Sequence, residues 1–262
     1  MDMVDKIKQR LDDLREVMRR EKLAAFIFPS TDAHQSEYVA SHWQGREWIS
    51  GFDGSAGTAV VTLDRAALWT DSRYFLAAEQ QLQGTEYQLM KLRVEGTPTI
   101  GQWLIEQLAD VESPEVGLDG MVNSFHDTQA LVDELRKAAG ITVRTNFDPL
   151  EVIWKDRPSI PVNPVEIQPL EFAGESFQSK LSRIRTALRE LHADGMLVSA
   201  LDDIAWTLNL RGSDVHCVPV FVSYLLIASD EVSLFVDEEK LTPAVRDYLV
   251  GNGVSLYKYN KV

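Results

Sequence analysis

A single cysteine, Cys217, stands in 262 residues. One thiol can form neither an intrachain disulfide nor a cysteine-based zinc site, and its scarcity fits the reducing cytoplasm. With no His or Cys partner at motif spacing, Cys217 reads as a small buried hydrophobe rather than a nucleophile. Long apolar runs are missing too. Stretches such as VPVFVSYLLIA (218–228) fall short of the ~20 residues a spanning helix needs, and no charged-then-apolar signal peptide opens the sequence, so no membrane is expected as a partner. Basic charge is the third shortage. Lys and Arg number 26 against 40 Asp and Glu, a net charge of -14. No Lys/Arg-rich block appears, which argues against nucleic acid as the main partner.

What is present is an ordinary globular composition, 45% hydrophobic and 25% charged, at a length that suits two domains. Apolar residues at 4, 7, 11, 14 and 18 recur at three- and four-residue steps and predict an amphipathic helix over 4–21. LAAFIF (23–28) predicts a buried strand. GTAVVTL and AALWTD predict a strand pair turning at Asp64 and Arg65. SRYFLAAEQQL predicts a helix and EYQLMKL a strand. TPTIGQWLIEQLAD predicts a helix with Thr97 as N-cap and Pro98 in the first turn. EVGLD predicts a strand, and the next helix runs from Ser124 to Gly140. ITVRTN predicts a further strand. Alternating strands and helices define an α/β domain. RPSIPVNPVEIQP (157–169) then holds four of the ten prolines, and neither a helix nor a central strand passes through it. The expected organisation is therefore a first domain over 1–155, a proline-rich linker over 156–172 and a second domain over 173–262.

The pattern restarts after the linker. SFQSKLSRIRTALRELHADG predicts an amphipathic helix ending at Gly195, the counterpart of the first helix. MLVSAL answers LAAFIF, WTLNLRGSD answers WISGFDGSA with Trp206 over Trp48, and PVFVSYLLI answers TAVVTL. SLFVDEEKL answers ALWTDSRYF, and VSLYKY answers EYQLMKL. Two copies of one α/β unit follow. Copy one carries an insertion of roughly a dozen residues between its first strand and its Trp. Copy two stops early by about 55 residues, or about two strands of a sheet. The expectation is a fragment of a longer protein, cut inside its second domain.

That insertion, within STDAHQSEYVASHWQGREW (30–48), holds Asp32, His34, Glu37 and His42. These residue types bind metals and move protons, but their spacing matches no ligand motif such as HExxH. A metal site, a substrate or partner contact and a polar surface loop all remain open, with loops on rigid frames favouring function. GFDGSAGT (51–58) lacks the lysine of a phosphate loop and reads as a tight turn between strands needing positive φ. Asp71 reads as a helix N-cap, and Arg73 as a guanidinium able to grip a carboxylate in bidentate fashion. Ser213, Asp214 and His216 form no plausible triad, since no GxSxG elbow surrounds Ser213.

PSTDAHQSEY, SGFDGSAGTAVV, WTDSRYF, IWKDRP, LDDIAWTLNLRGSDV and PVFVSY, in this order, resemble the N-terminal part of the three-domain Xaa-Pro aminopeptidases of the creatinase/prolidase family, over about residues 7–248. The resemblance implies two tandem related α/β domains with mixed sheets flanked by helices, the second truncated here. It implies a catalytic domain absent from this sequence, holding two metal ions, usually manganese, on two Asp, two Glu and a His. No HGxGHxxG-like stretch occurs, so no catalytic residue and no metal or other cofactor is expected in this chain. The expected role is non-catalytic: shaping the active-site entrance and packing against other domains or subunits of a cytosolic enzyme that releases a residue preceding proline. The implied partners are its own C-terminal catalytic domain, peptides with proline second, and a second copy in a homodimer. By this carry-over Glu37 is the foremost substrate-facing residue, with His34 and Arg73 beside it, and Arg211 and Asp214 pair across the interdomain junction. The competing reading is a stand-alone binding or regulatory module of the same fold without a peptidase.

Overall fold

Helix α1 (Met3–Glu21) buries Ile7, Leu11, Leu14 and Met18 along one face, as the three- and four-residue spacing dictates. Asp2 caps its start and Lys22, in the left-handed region at φ 60°, ends it. The chain then enters β1 (Ala25–Phe28), buried at every position. A single 3-10 turn (Ser41–Trp43) and α2 (Gly45–Ser50) lead to the hairpin β2 (Thr58–Thr62) and β3 (Ala66–Thr70). Helix α3 (Phe75–Gln81), β4 (Tyr87–Lys91), α4 (Ile100–Gln107), β5 (Glu115–Leu118), α5 (Phe125–Ala139), β6 (Thr142–Arg144) and the short α6 (Leu150–Ile153) follow.

The computed structural model describes residues 2–262. The chain divides into two units, Met1–Pro158 and Ser159–Val262. The first holds a six-stranded mixed sheet in the order β4-β3-β2-β1-β5-β6. Strand β1 is its pivot, antiparallel to β2 and parallel to β5. One face packs under α1 and α2 through Leu11, Met18, Phe26, Ile49 and Val61. The other packs under α4 and α5 through Ile27, Val60, Trp69, Trp103, Leu104 and Leu135.

The second unit comprises β7 (Glu166–Ile167), α7 (Leu170–Ala173), α8 (Phe177–Glu190), β8 (Gly195–Val198), α9 (Leu201–Leu208), β9 (Leu210–Arg211), β10 (Ser223–Ala228), β11 (Val232–Val236), α10 (Pro243–Gly251) and β12 (Val254–Tyr257). Its main sheet runs β12-β11-β10-β8. The senses are antiparallel, antiparallel and parallel from β8 outward. From β1 outward through β2 and β3 to β4 they are the same. The duplication read from the sequence is therefore a duplication of topology, with four strands where the first unit has six. Among the described residues no helix is long and apolar enough to cross a membrane.

Several local expectations are corrected. Thr99, not Thr97, caps α4, in a reciprocal capping box with Gln102. The second amphipathic helix stops at Glu190, followed by His192 at φ 54°, and Gly195 opens β8 instead of closing the helix. Cys217 is exposed, not buried, at a positive φ of 59° in a tight turn bracketed by the Val215–Val218 bridge. The proline-rich stretch is held on both sides of residue 158. Arg157 donates to His42 O and Asp148 within the first unit. Val165 N donates to Lys240 O, and Gln168 N to Asn209 O, within the second.

Candidate functional site

The inserted loop, residues 29–40, leaves the carboxyl end of β1 and is tied down residue by residue. The Ser30 hydroxyl donates to Gly57 O and accepts from Gly57 N. Thr31 Oγ1 donates to Val122 O at 2.6 Å. Asp32 is fully buried, and its Oδ1 accepts from His34 N and Ser36 N, both at 2.9 Å. This is the Asx geometry that lets a short carboxylate replace backbone pairing. Gln35 turns the chain at φ 57° and reaches Val122 O with its amide.

The four metal-capable side chains are thereby sent apart. His34 is 3% exposed, its ring edge-on to Trp43 at 6.4 Å. His42 lies beside Pro158 O, 2.7 Å from Nδ1, and burial lowers the pKa of its imidazole. Glu37 alone points outward. Among the described residues, no three His, Cys, Asp or Glu groups are placed to hold a metal ion, so the residues present do not fit a dinuclear centre.

Glu37 and Arg73, from separate segments of the sequence, meet at the surface. Glu37 Oε1 is 3.8 Å from Arg73 Nη1, with the side chains 60% and 58% exposed. Arg73 also grips Asp71 in bidentate fashion, at 3.0 and 2.8 Å. Those hydrogen bonds hold the Asp71 carboxyl below its ordinary pKa and raise that of the guanidinium. So the carboxylate that Arg73 was expected to reach is its own near neighbour. Asp71 does not cap α3, which begins four residues later at Phe75; it accepts from Arg73 N in the turn before it. His34, the third expected substrate contact, lies in the loop interior instead.

The glycine-rich stretch is a stapled connection from α2 to β2. Buried Arg46 donates to the carbonyls of Phe52 and Gly54, its guanidinium over the Phe52 ring at 4.9 Å. Burial lowers its pKa to about 10. Carbonyls turned toward a cation are the reverse of a phosphate cradle, which presents N–H groups. Only Gly51 takes a positive φ, 74°, ending α2; at Gly54 a Cβ would lie 2.4 Å from the Phe52 ring. In the second unit Arg211 Nη1 donates to Ala205 O and Leu210 O. Asp214 binds Lys240 Nζ and Val222 N through Oδ2, while its Oδ1 has no partner. The expected Arg211–Asp214 pair is therefore not formed, and Asp214 does not orient His216.

Sequence reasoning missed a cavity of 290 Å³ beside the loop, lined among others by Ile27, Thr31, Gln35, Leu118, Asp127 and Leu131. It sits where β1 and β5 end, a place set by strand order rather than by any local motif.

The described residues thus form two tandem copies of one α/β domain, the first with a polar loop inserted after β1. The Creatinase/Prolidase N-terminal domain family matches residues 10–150, and a second family model of the same description matches 156–262. This chain belongs to the creatinase/prolidase N-terminal domain family. It is 42% identical to a probable Xaa-Pro aminopeptidase P of Aspergillus niger, over 100% of this chain and 42% of that protein. A protein of the same description from Paracoccidioides lutzii is 41% identical with the same coverage. The crystal structure of X-prolyl aminopeptidase from Caenorhabditis elegans, described as a cytosolic enzyme with a di-nuclear active site, superposes with a TM-score of 0.90 at 32% identity. That match covers 97% of this chain and 43% of the other. The chain thus spans less than half the length of the relatives it matches.

Proposed function

We propose that this chain is the non-catalytic N-terminal region of a metal-dependent Xaa-Pro aminopeptidase. Its role there is to shape the active-site entrance and to supply surfaces for domain and subunit packing. The intact enzyme removes an N-terminal residue that precedes proline, works in the cytoplasm as a homodimer, and carries its two divalent ions, manganese or a similar metal, in the catalytic domain. The similar Xaa-Pro aminopeptidases support the reaction, and the nematode enzyme, cytosolic with a di-nuclear active site, supports the compartment and the paired metals.

The observation that carries the reading is the Glu37–Arg73 pair. It is an exposed, opposite-charge pair presented by a loop whose neighbouring residues are locked in place. An exposed pair of this kind contributes little to stability, so its placement fits a contact with a peptide tail or a facing domain. In the full-length enzyme, Glu37→Ala is expected to lower kcat/KM on a proline-second peptide by about tenfold, about 1.4 kcal/mol of transition-state binding, with an unchanged melting temperature. Kinetics identical to the parent enzyme would remove the loop from the site. The 262-residue chain alone, given manganese and an Arg-Pro-Pro-type peptide, is expected to release no product.

A further inference from the structure

The 290 Å³ cavity beside the inserted loop stands near the lower end of the range for ligand pockets, about 300–1,000 Å³. Its apolar wall comes from Ile27 of β1, Ile100 of α4, Leu118 of β5 and Leu131 of α5. Ile27 and Leu118 are register partners near the carboxyl ends of two parallel strands. Carboxyl ends of parallel strands are where α/β sheets commonly take ligands.

The polar wall has a definite sense. Gln35 uses its NH2 group on the carbonyls of Asp32 and Val122, at 3.3 and 3.2 Å. Both partners are acceptors, so the amide nitrogen must face them and Oε1 is left over. Asn123 donates Nδ2 to Asp119 O at 2.7 Å, which leaves its Oδ1 in the same way. The Thr31 hydroxyl donates to Val122 O. Asp127 adds an exposed carboxylate. The cavity therefore offers a ligand two amide oxygens and a carboxylate, while the hydroxyls of Thr58, Ser124 and Thr128 can turn either way. Among the described residues no Lys, Arg or His lines it. The amino end of α5 favours an anion in principle, but it is already answered from within. Ser124 Oγ accepts from Asp127 N, and the Asp127 carboxylate stands in the first turn. The net charge of -14 acts in the same direction at longer range.

We infer that this cavity is a binding site for a small organic cation. Asp127 and the amide oxygens of Gln35 and Asn123 receive its ammonium or guanidinium group. Ile27, Ile100, Leu118 and Leu131 receive a short apolar body. An anion finds no basic partner there, and a wholly apolar molecule leaves the acceptors unpaired. The site lies within the first unit and does not depend on the role proposed for Glu37.

NMR titration of the isotope-labelled 262-residue chain with three molecules of similar shape tests it: 2-phenylethylamine, 2-phenylethanol and phenylacetate. The amine is expected to shift the amides of Thr31, Gln35, Asn123 and Thr128 saturably, with a Kd of about 1 mM or below. The alcohol is expected to bind about tenfold more weakly, and phenylacetate not at all. Asp127→Asn is expected to weaken the amine about fivefold and leave the alcohol unchanged. Leu131→Trp, which fills the apolar wall, is expected to abolish binding of both; should that variant fail to fold, Asp127→Asn, at an exposed side chain, still decides. Alcohol or acid binding as tightly as the amine overturns the inference, as does an amine affinity untouched by Asp127→Asn. So do shifts scattered over the acidic surface without saturation, which report only a general attraction for cations. No step of this test uses peptide turnover, so its failure leaves the functional reading standing.

Discussion

Asp214 Oδ2 and Lys240 Nζ lie 2.5 Å apart with side chains 0% and 1% exposed. The ammonium also donates to Pro161 O, and Val165 N donates to Lys240 O. One buried ion pair thereby anchors the proline-rich stretch to the second unit. Removing one partner strands the other charge. Lys240→Met is expected to cost about 3–5 kcal/mol, and the double variant Lys240→Met with Asp214→Leu distinctly less. Urea unfolding of the single and double variants measures both. A single substitution costing under about 1 kcal/mol would be incompatible with an uncompensated buried charge.

Asp32 organises the inserted loop through the amides of His34 and Ser36. Asp32→Ala leaves both donors without their acceptor, at about 1–3 kcal/mol each where they are buried. Asp32→Asn keeps an oxygen in the Oδ1 position. The expected outcome is faster proteolytic nicking within residues 29–40 for the alanine variant and a rate near the parent's for asparagine. Equal rates for alanine and parent would mean that the loop is held by Ser30, Thr31 and Gln35 without Asp32.

His42 sets a pH dependence. Burial lowers the pKa of its imidazole, with Arg157 adding to this and the Pro158 carbonyl, Asp148 and Glu151 opposing it. The unfolded chain therefore takes up the proton first, near the ordinary value of about 6.5. Stability from this group is present above that value and is lost as pH falls through it toward the lowered folded pKa. Thermal melts between about pH 7.5 and 5.5 are expected to show a shallower decline for His42→Gln than for the parent. Identical slopes would remove His42 as the source.

Much of the fold was legible because its signals are local. The 3.6-residue spacing of Ile7, Leu11, Leu14 and Met18 names a helix wherever that helix later packs. Ser124 and Gly140 mark the ends of α5 by cap chemistry alone. Thr97 misled because Thr99, two residues on, is an equal capper by type, and only the reciprocal bond to Gln102 decides between them. Asp71 misled for a related reason. A carboxylate ahead of a helical pattern caps whichever turn comes first, and here that turn precedes α3.

The candidate site was legible in its residue types but not in its arrangement. Sequence could place Asp32, His34, Glu37 and His42 in one stretch; it could not tell which would be buried, because that depends on Val122 and Pro158 arriving from elsewhere and on how Trp43 folds back on His34. Arg46 drew no attention at all, since a lone arginine in a short helix carries no signal until Phe52 and Gly54 fold back over it.

By itself the sequence determined that one α/β unit is repeated, that the first copy bears an insertion, and that both copies resemble the creatinase/prolidase family. Those are properties of pattern, carried by neighbours along the chain. The tertiary structure decided that Glu37 meets Arg73 and that Asp214 takes Lys240 instead of Arg211. It also decided that Ile27, Gln35 and Leu131, from a strand, a loop and a helix, line one cavity. Such outcomes depend on burial and on charges brought together across the sheet, and no local pattern of residues encodes them.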